Sequence, residues 1–89
     1  MLIIFEKGLK YMNIEIYTQD ACPPCEFIKG YFKSKNIPYI EKNIKHMPYK
    51  IEMIDYDAMS TPLIKINDTL IYSPDIDKIE QLLGQKYAE

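Results

Sequence analysis

From Met12 onward the chain switches between two hydrophobic periods, and the switches mark its elements. Asn13 to Thr18 alternates, with Ile14, Ile16 and Thr18 on one face and Glu15 and Tyr17 on the other, which predicts a strand. Residues 23–35 repeat at helical spacing instead. Phe27, Ile28, Tyr31 and Phe32 form one stripe, and Glu26, Lys29 and Lys33 lie on the other side. Pro23 suits a first helical position, where no N–H is needed; Asn36 suits a left-handed stop, and Pro38 bars continuation. Ile37 to Ile44 reads as a second strand, and Pro48 starts a second helix with Ile51, Ile54, Asp55 and Ala58 along one side. Leu63 to Ile66, the turn Asn67-Asp68 and Thr69 to Tyr72 form a hairpin. The last helix takes Ser73 as its N-cap, with Pro74, Asp75 and Asp77 in or near its first turn. It buries Ile76, Ile79, Leu82 and Leu83, and stops at Gly84. The order β-α-β-α-β-β-α predicts an α/β domain with one mixed four-stranded sheet. A right-handed crossover makes its first two strands parallel, and the hairpin adds antiparallel ones.

Residues 1–11 fall outside this pattern: the apolar run Leu2-Ile3-Ile4-Phe5 is followed by Glu6-Lys7-Gly8-Leu9-Lys10. They read as a leader of open role (an extra strand, a loose tail, or an upstream start not used in the cell), and 12–89 as the domain. At 89 residues the chain holds about one small domain. A hydrophobic share of 47%, with eight Tyr and three Phe, is enough for a packed core. Eleven basic residues against thirteen acidic ones supply no basic excess for neutralising phosphates, so nucleic acid is not an expected partner. The longest apolar run is far below the roughly 20 residues that span a bilayer, and no signal-peptide pattern is present, so the expectation is a cytoplasmic protein.

The two cysteines then set the chemistry. Cys22-Pro23-Pro24-Cys25 follows a strand and opens a helix inside a β-α-β unit, a specific signal for thiol redox chemistry. At a helix N-cap, free N–H groups and the macrodipole favour a Cys22 thiolate, the nucleophilic form. Cys25, one turn on and more buried, attacks the resulting mixed disulfide. Pro23 and Pro24 have no N–H, so donors near the Cys22 sulfur reduce largely to Cys25 and beyond. A zinc site needs about four ligands, and His46 is the one further obvious soft donor, so no metal is expected. His46 reads as a solvated loop residue, and Lys42, Lys45 and Lys50 as a solvated face.

Three stretches together resemble the glutaredoxin family across residues 13–83: Ile16-Tyr17-Thr18 before Cys22-Pro23-Pro24-Cys25, Ile37-Pro38-Tyr39, and Ser60-Thr61-Pro62 before Leu63-Ile64-Lys65-Ile66-Asn67. The resemblance implies a thioredoxin-like fold and a dithiol–disulfide oxidoreductase, an electron carrier in cell redox homeostasis. Its catalytic residues would be Cys22 and Cys25, acting on protein disulfides or glutathione mixed disulfides. It implies a cis Pro62 facing the cysteines, Thr61 peptide groups docking a substrate backbone, and substrate or glutathione contacts at Tyr17, Pro24, Thr61, Pro62 and Asp75. No cofactor is bound in this reading; glutathione is a co-substrate, and the protein works as a monomer. Iron–sulfur assembly at Cys22 is not expected, because Pro23-Pro24 stiffens the turn. The chain departs from the family at Tyr72-Ser73-Pro74-Asp75, where glutaredoxins carry Gly-Gly followed by Asp; only the Asp is kept. That loss favours an alternative, a glutaredoxin-like redoxin reduced by thioredoxin reductase and donating electrons to ribonucleotide reductase. A second alternative is a non-catalytic thioredoxin-fold binding module with a vestigial pair.

Overall fold

The structure, a computed structural model, describes residues 13–87, so the leader reading of 1–11 lies outside the described residues. Its elements are β1 (Ile14–Thr18), α1 (Pro23–Ser34), β2 (Ile40–Asn43), α2 (Met47–Asp55), β3 (Leu63–Ile66), β4 (Thr69–Ile71) and α3 (Ile76–Tyr87). The strands lie in the order β2-β1-β3-β4. β1 and β2 run parallel, while β1–β3 and β3–β4 are antiparallel, so the predicted mixed sheet and thioredoxin-like architecture are present.

Side-chain alternation gives the sheet two covered faces. On one, Ile14, Ile16, Ile64, Ile66 and Ile71 pack with Ile28 and Phe32 of α1 and Ile79 and Leu83 of α3. On the other, Tyr17 and Leu63 pack with Met53 of α2 and with Ala58. Ile28 and Phe32 are wholly buried, each contributing about 1.5–3 kcal/mol by area. A strand covered on both faces explains why the Glu15–Tyr17 side of β1 is not a solvent side: Tyr17 has no exposed surface.

Five local expectations change. The buried stripe of α1 is Cys25, Ile28 and Phe32, with Phe27 left 57% exposed. β2 is a short edge strand, because Ile37-Pro38-Tyr39 only leads into it. α2 turns Tyr49, Glu52, Met53 and Tyr56 inward, an i, i+3, i+4, i+7 set, and leaves Ile51 and Ile54 exposed. Asp75 rather than Ser73 caps α3, accepting the Lys78 N–H at 3.2 Å, and the helix continues through Gly84. Lys42 is not solvated. Its ammonium donates to Glu15 and to Glu52, both at 3.0 Å, and lies 5.3 Å from the Tyr17 ring centre. The Tyr17 hydroxyl donates to Glu52 at 2.7 Å, which joins β1, β2 and α2 through one polar cluster. The left-handed conformation expected at Asn36 is present, and Asn67 adopts it in the hairpin turn.

Burial pushes the Tyr17 phenol up, and its bond to Glu52 pushes it further. The Tyr17 and Lys42 contacts hold Glu52 below its ordinary value. Burial would raise Glu15, but Lys42 and Asn13 more than offset it, so that carboxyl is lowered too. Carboxyls lowered on folding stabilise the native state above their ordinary value of 4.5, and that contribution is lost as pH falls through the lowered values. Lys42→Met should therefore flatten the loss of stability below pH 4.5 in acid titrations of denaturant midpoint; parallel curves for the two proteins would refute this. Tyr17→Phe should cost about 1–2 kcal/mol in urea unfolding by removing a hydrogen bond to a charged acceptor.

Candidate functional site

The site forms where β1 ends. Thr18, 1% exposed, donates to Glu41 at 2.8 Å, and Lys29 holds that carboxylate at 3.0 Å, which anchors the strand end between β2 and α1. The Lys29 ammonium accordingly holds the Glu41 carboxyl below its ordinary value. Gln19, Asp20 and Ala21 then turn the chain into α1, with Ala21 in the left-handed region at φ 54°. This delivers Cys22 to the N-cap in an extended conformation, followed by two prolines in the first turn.

Cys22 and Cys25 are joined by a disulfide, with Cα atoms 5.2 Å apart. Cys25 is fully buried and Cys22 keeps 6% of its surface, so Cys22 is the more accessible residue of the pair. The Cys25 N–H donates to the Cys22 sulfur at 3.2 Å, the donor that remains once both prolines are discounted. Across the site, the Thr61–Pro62 bond is cis, the isomer implied by the resemblance. The Thr61 Oγ1 lies 3.4 Å from the Cys22 sulfur and accepts from Gln19 Nε2 at 2.9 Å. Pro62 is buried, whereas Pro24 is exposed beside the pair.

Cys22, Cys25 and Thr61 therefore come together, with Pro62 next to Thr61 in the chain. Tyr17 does not join them. It lies wholly buried on the α2 face, packed against Met53 and Leu63, with its hydroxyl on Glu52. Asp75 is exposed, but its carboxylate caps α3. Tyr72 stands at 52% exposure with its hydroxyl donating to the Tyr56 carbonyl at 2.8 Å, so a fixed ring occupies a position where glutaredoxins carry glycine. His46 precedes α2, is exposed and makes no capping bond. Gln19 is the site residue that sequence reasoning missed. The signal for it lay in strand register, because Gln19 falls opposite Thr61 two positions beyond the last β1–β3 pair, Tyr17 with Leu63. Among the described residues, no helix is long and apolar enough to cross a membrane.

Comparison with known proteins agrees with this geometry. The glutaredoxin family model matches residues 14–71. A glutaredoxin-like 8.6 kDa protein of the rubredoxin operon of Clostridium pasteurianum is 33% identical over 72 residues, covering 79% of this chain and 96% of its own. A crystal structure of a thioredoxin-like protein, in a point-mutant form, is 36% identical with a TM-score of 0.75, over 80% of this chain and 99% of that one. NrdH-redoxin of Escherichia coli, a glutaredoxin-like protein, shares the fold at 22% identity and a TM-score of 0.68, over 80% and 95% of the two chains.

After reduction, iodoacetamide should label Cys22 much faster than Cys25 at neutral pH, because Cys22 caps a helix and keeps some accessible surface while Cys25 has none. Peptide mass analysis reads the two sites separately, and equal rates would contradict this assignment.

Proposed function

The chain belongs to the glutaredoxin family and is a thiol–disulfide oxidoreductase, and from that premise we propose that it reduces protein disulfides and glutathione mixed disulfides by dithiol exchange. Cys22 is the nucleophile and Cys25 the resolving thiol. The Cys22 thiolate attacks a substrate sulfur, forms a mixed disulfide and expels the other substrate sulfur as a thiolate. Cys25 then loses its proton and attacks the Cys22 sulfur, and the second substrate sulfur leaves. Two electrons pass to the substrate, its sulfurs take up two protons, and the Cys22–Cys25 bond forms. The observation that carries this reading is the Cys22 sulfur at a helix N-cap, within reach of the Cys25 N–H at 3.2 Å and the Thr61 hydroxyl at 3.4 Å. Peptide groups of Thr61, beside Pro62, dock the substrate backbone, and Pro24 lines the approach. Both sulfurs and Thr61 come from one chain, so a monomer suffices. Glutathione serves as co-substrate, with Asp75 facing its amine.

A second reading takes the reductant to be a flavoprotein thioredoxin reductase and the acceptor to be ribonucleotide reductase. The fixed Tyr72 ring favours it, as does the engagement of Asp75 by the Lys78 N–H, because a glycine-lined approach to the tripeptide is absent.

The two readings part at Cys25→Ser. A second glutathione can resolve a mixed disulfide on Cys22 alone, whereas a carrier of thioredoxin type needs Cys25 to expel its substrate. Cys22→Ser should abolish all activity. Cys25→Ser should keep modest deglutathionylation and lose protein-disulfide reduction, and Tyr72→Gly with Ser73→Gly should raise the glutathione-dependent rate. No glutathione turnover in Cys25→Ser, with none restored by the two glycines, would transfer the assignment to the thioredoxin-reductase reading.

A further inference from the structure

A helix N-cap sulfur ordinarily has several backbone N–H groups within reach. Here Pro23 and Pro24 remove the first two, which leaves the Cys25 N–H at 3.2 Å as the backbone donor. The Thr61 hydroxyl lies 3.4 Å away on the opposite side of the site. A hydroxyl carries one proton and two lone pairs, so its usefulness to the sulfur depends on where that proton points. Two observations settle the direction. Gln19 Nε2 donates to Thr61 Oγ1 at 2.9 Å and so occupies a lone pair. The disulfide-bonded Cys22 sulfur has no proton, so in the Thr61–Cys22 contact the hydroxyl is the donor.

We propose that Gln19 is a positioning residue that turns the Thr61 hydroxyl proton onto the Cys22 sulfur, giving the thiolate the side-chain donor that Pro23-Pro24 takes from its backbone. This rests on Cys22 as the nucleophile. Once the disulfide is reduced and Cys22 ionises, the same contact becomes a charge-assisted hydrogen bond and strengthens. The neighbouring charges are already matched. Asp20 of the same loop is held by Asn43 at 3.0 Å and lies 3.9 Å from Lys45, while Glu26 of the first helical turn pairs with Lys29 at 3.0 Å. The antiparallel register holds the relay in place, because β1 and β3, extended two residues past Tyr17 and Leu63, bring Gln19 opposite Thr61.

The test is the pH profile of iodoacetamide alkylation at Cys22 in the reduced full chain, read by peptide mass. Thr61→Val should raise the midpoint by about one pH unit, a tenfold loss of thiolate on the acid side, as expected for one hydrogen bond to a charged group. Thr61→Ser should restore the wild-type midpoint. Gln19→Met, which frees the hydroxyl to rotate, should fall between wild type and Thr61→Val. Gln19→Glu, whose carboxylate accepts the hydroxyl proton, should shift at least as far as Thr61→Val. An unchanged midpoint in Thr61→Val, or equal shifts in Thr61→Val and Thr61→Ser, overturns the proposal, and so does a wild-type midpoint in Gln19→Met. Alkylation needs no disulfide substrate, so these failures leave the reductase reading standing; that reading falls if Cys22→Ser still reduces disulfides.

Discussion

The antiparallel pairing of β1 with β3 is the constraint on which the site depends. Its last pair, Tyr17 with Leu63, is buried on the α2 face. Neither strand can therefore slip by one residue without taking Ile16 and Ile64 off the face packed by α1 and α3, and Tyr17 and Leu63 off the face packed by α2. A slip would also move Thr61 away from Cys22 and Gln19. The distances of 3.4 and 2.9 Å around Thr61 are therefore held by a hydrophobic register set several residues away. Redox geometry in this domain is a consequence of core packing.

The α2 face solves a different problem. Tyr17 needs a hydrogen-bond partner for its buried hydroxyl, and β2 brings up an ammonium that needs counter-charges. Glu52 answers both, accepting from Tyr17 and from Lys42, while Glu15 takes the second contact of the ammonium. A half-buried cation with one carboxylate would be a weak feature, but two carboxylates and two aromatic rings around Lys42 make a closed set. The cluster lies on the opposite face of β1 from Ile14 and Ile16, so it stabilises the strand that carries the site without touching the sulfurs.

Element order, sheet class and the cysteine pair were legible in the sequence because each has a local signature: period, proline placement, or spacing across one helical turn, whereas the cis Pro62 was implied by the family resemblance alone. What was not legible depended on contacts between distant segments. Lys42 looks solvated until Glu15 and Glu52 converge on it, and Ile51 and Ile54 look buried until Tyr17 draws Glu52 inward and rotates α2. Tyr17 looked like a ligand contact through resemblance alone, and the second covered face of the sheet places it in the core. Gln19 carries no motif of its own, and only the register across 42 positions of chain gives it a partner.

Ala21 has a consequence for how this chain can change over time. At φ 54° an L-residue other than glycine is mildly disfavoured, by about 1 kcal/mol or more for alanine. Asparagine, aspartate and glycine tolerate that conformation, whereas valine, isoleucine and proline do not. The residue before Cys22 is thus filtered by backbone geometry, with no regard to electron transfer. Mutational drift at this position should favour small or amide-bearing side chains even where the pair's substrates diverge. A library randomised at position 21 would lose its β-branched members to misplacement of the helix start, and the loss would mimic a catalytic defect.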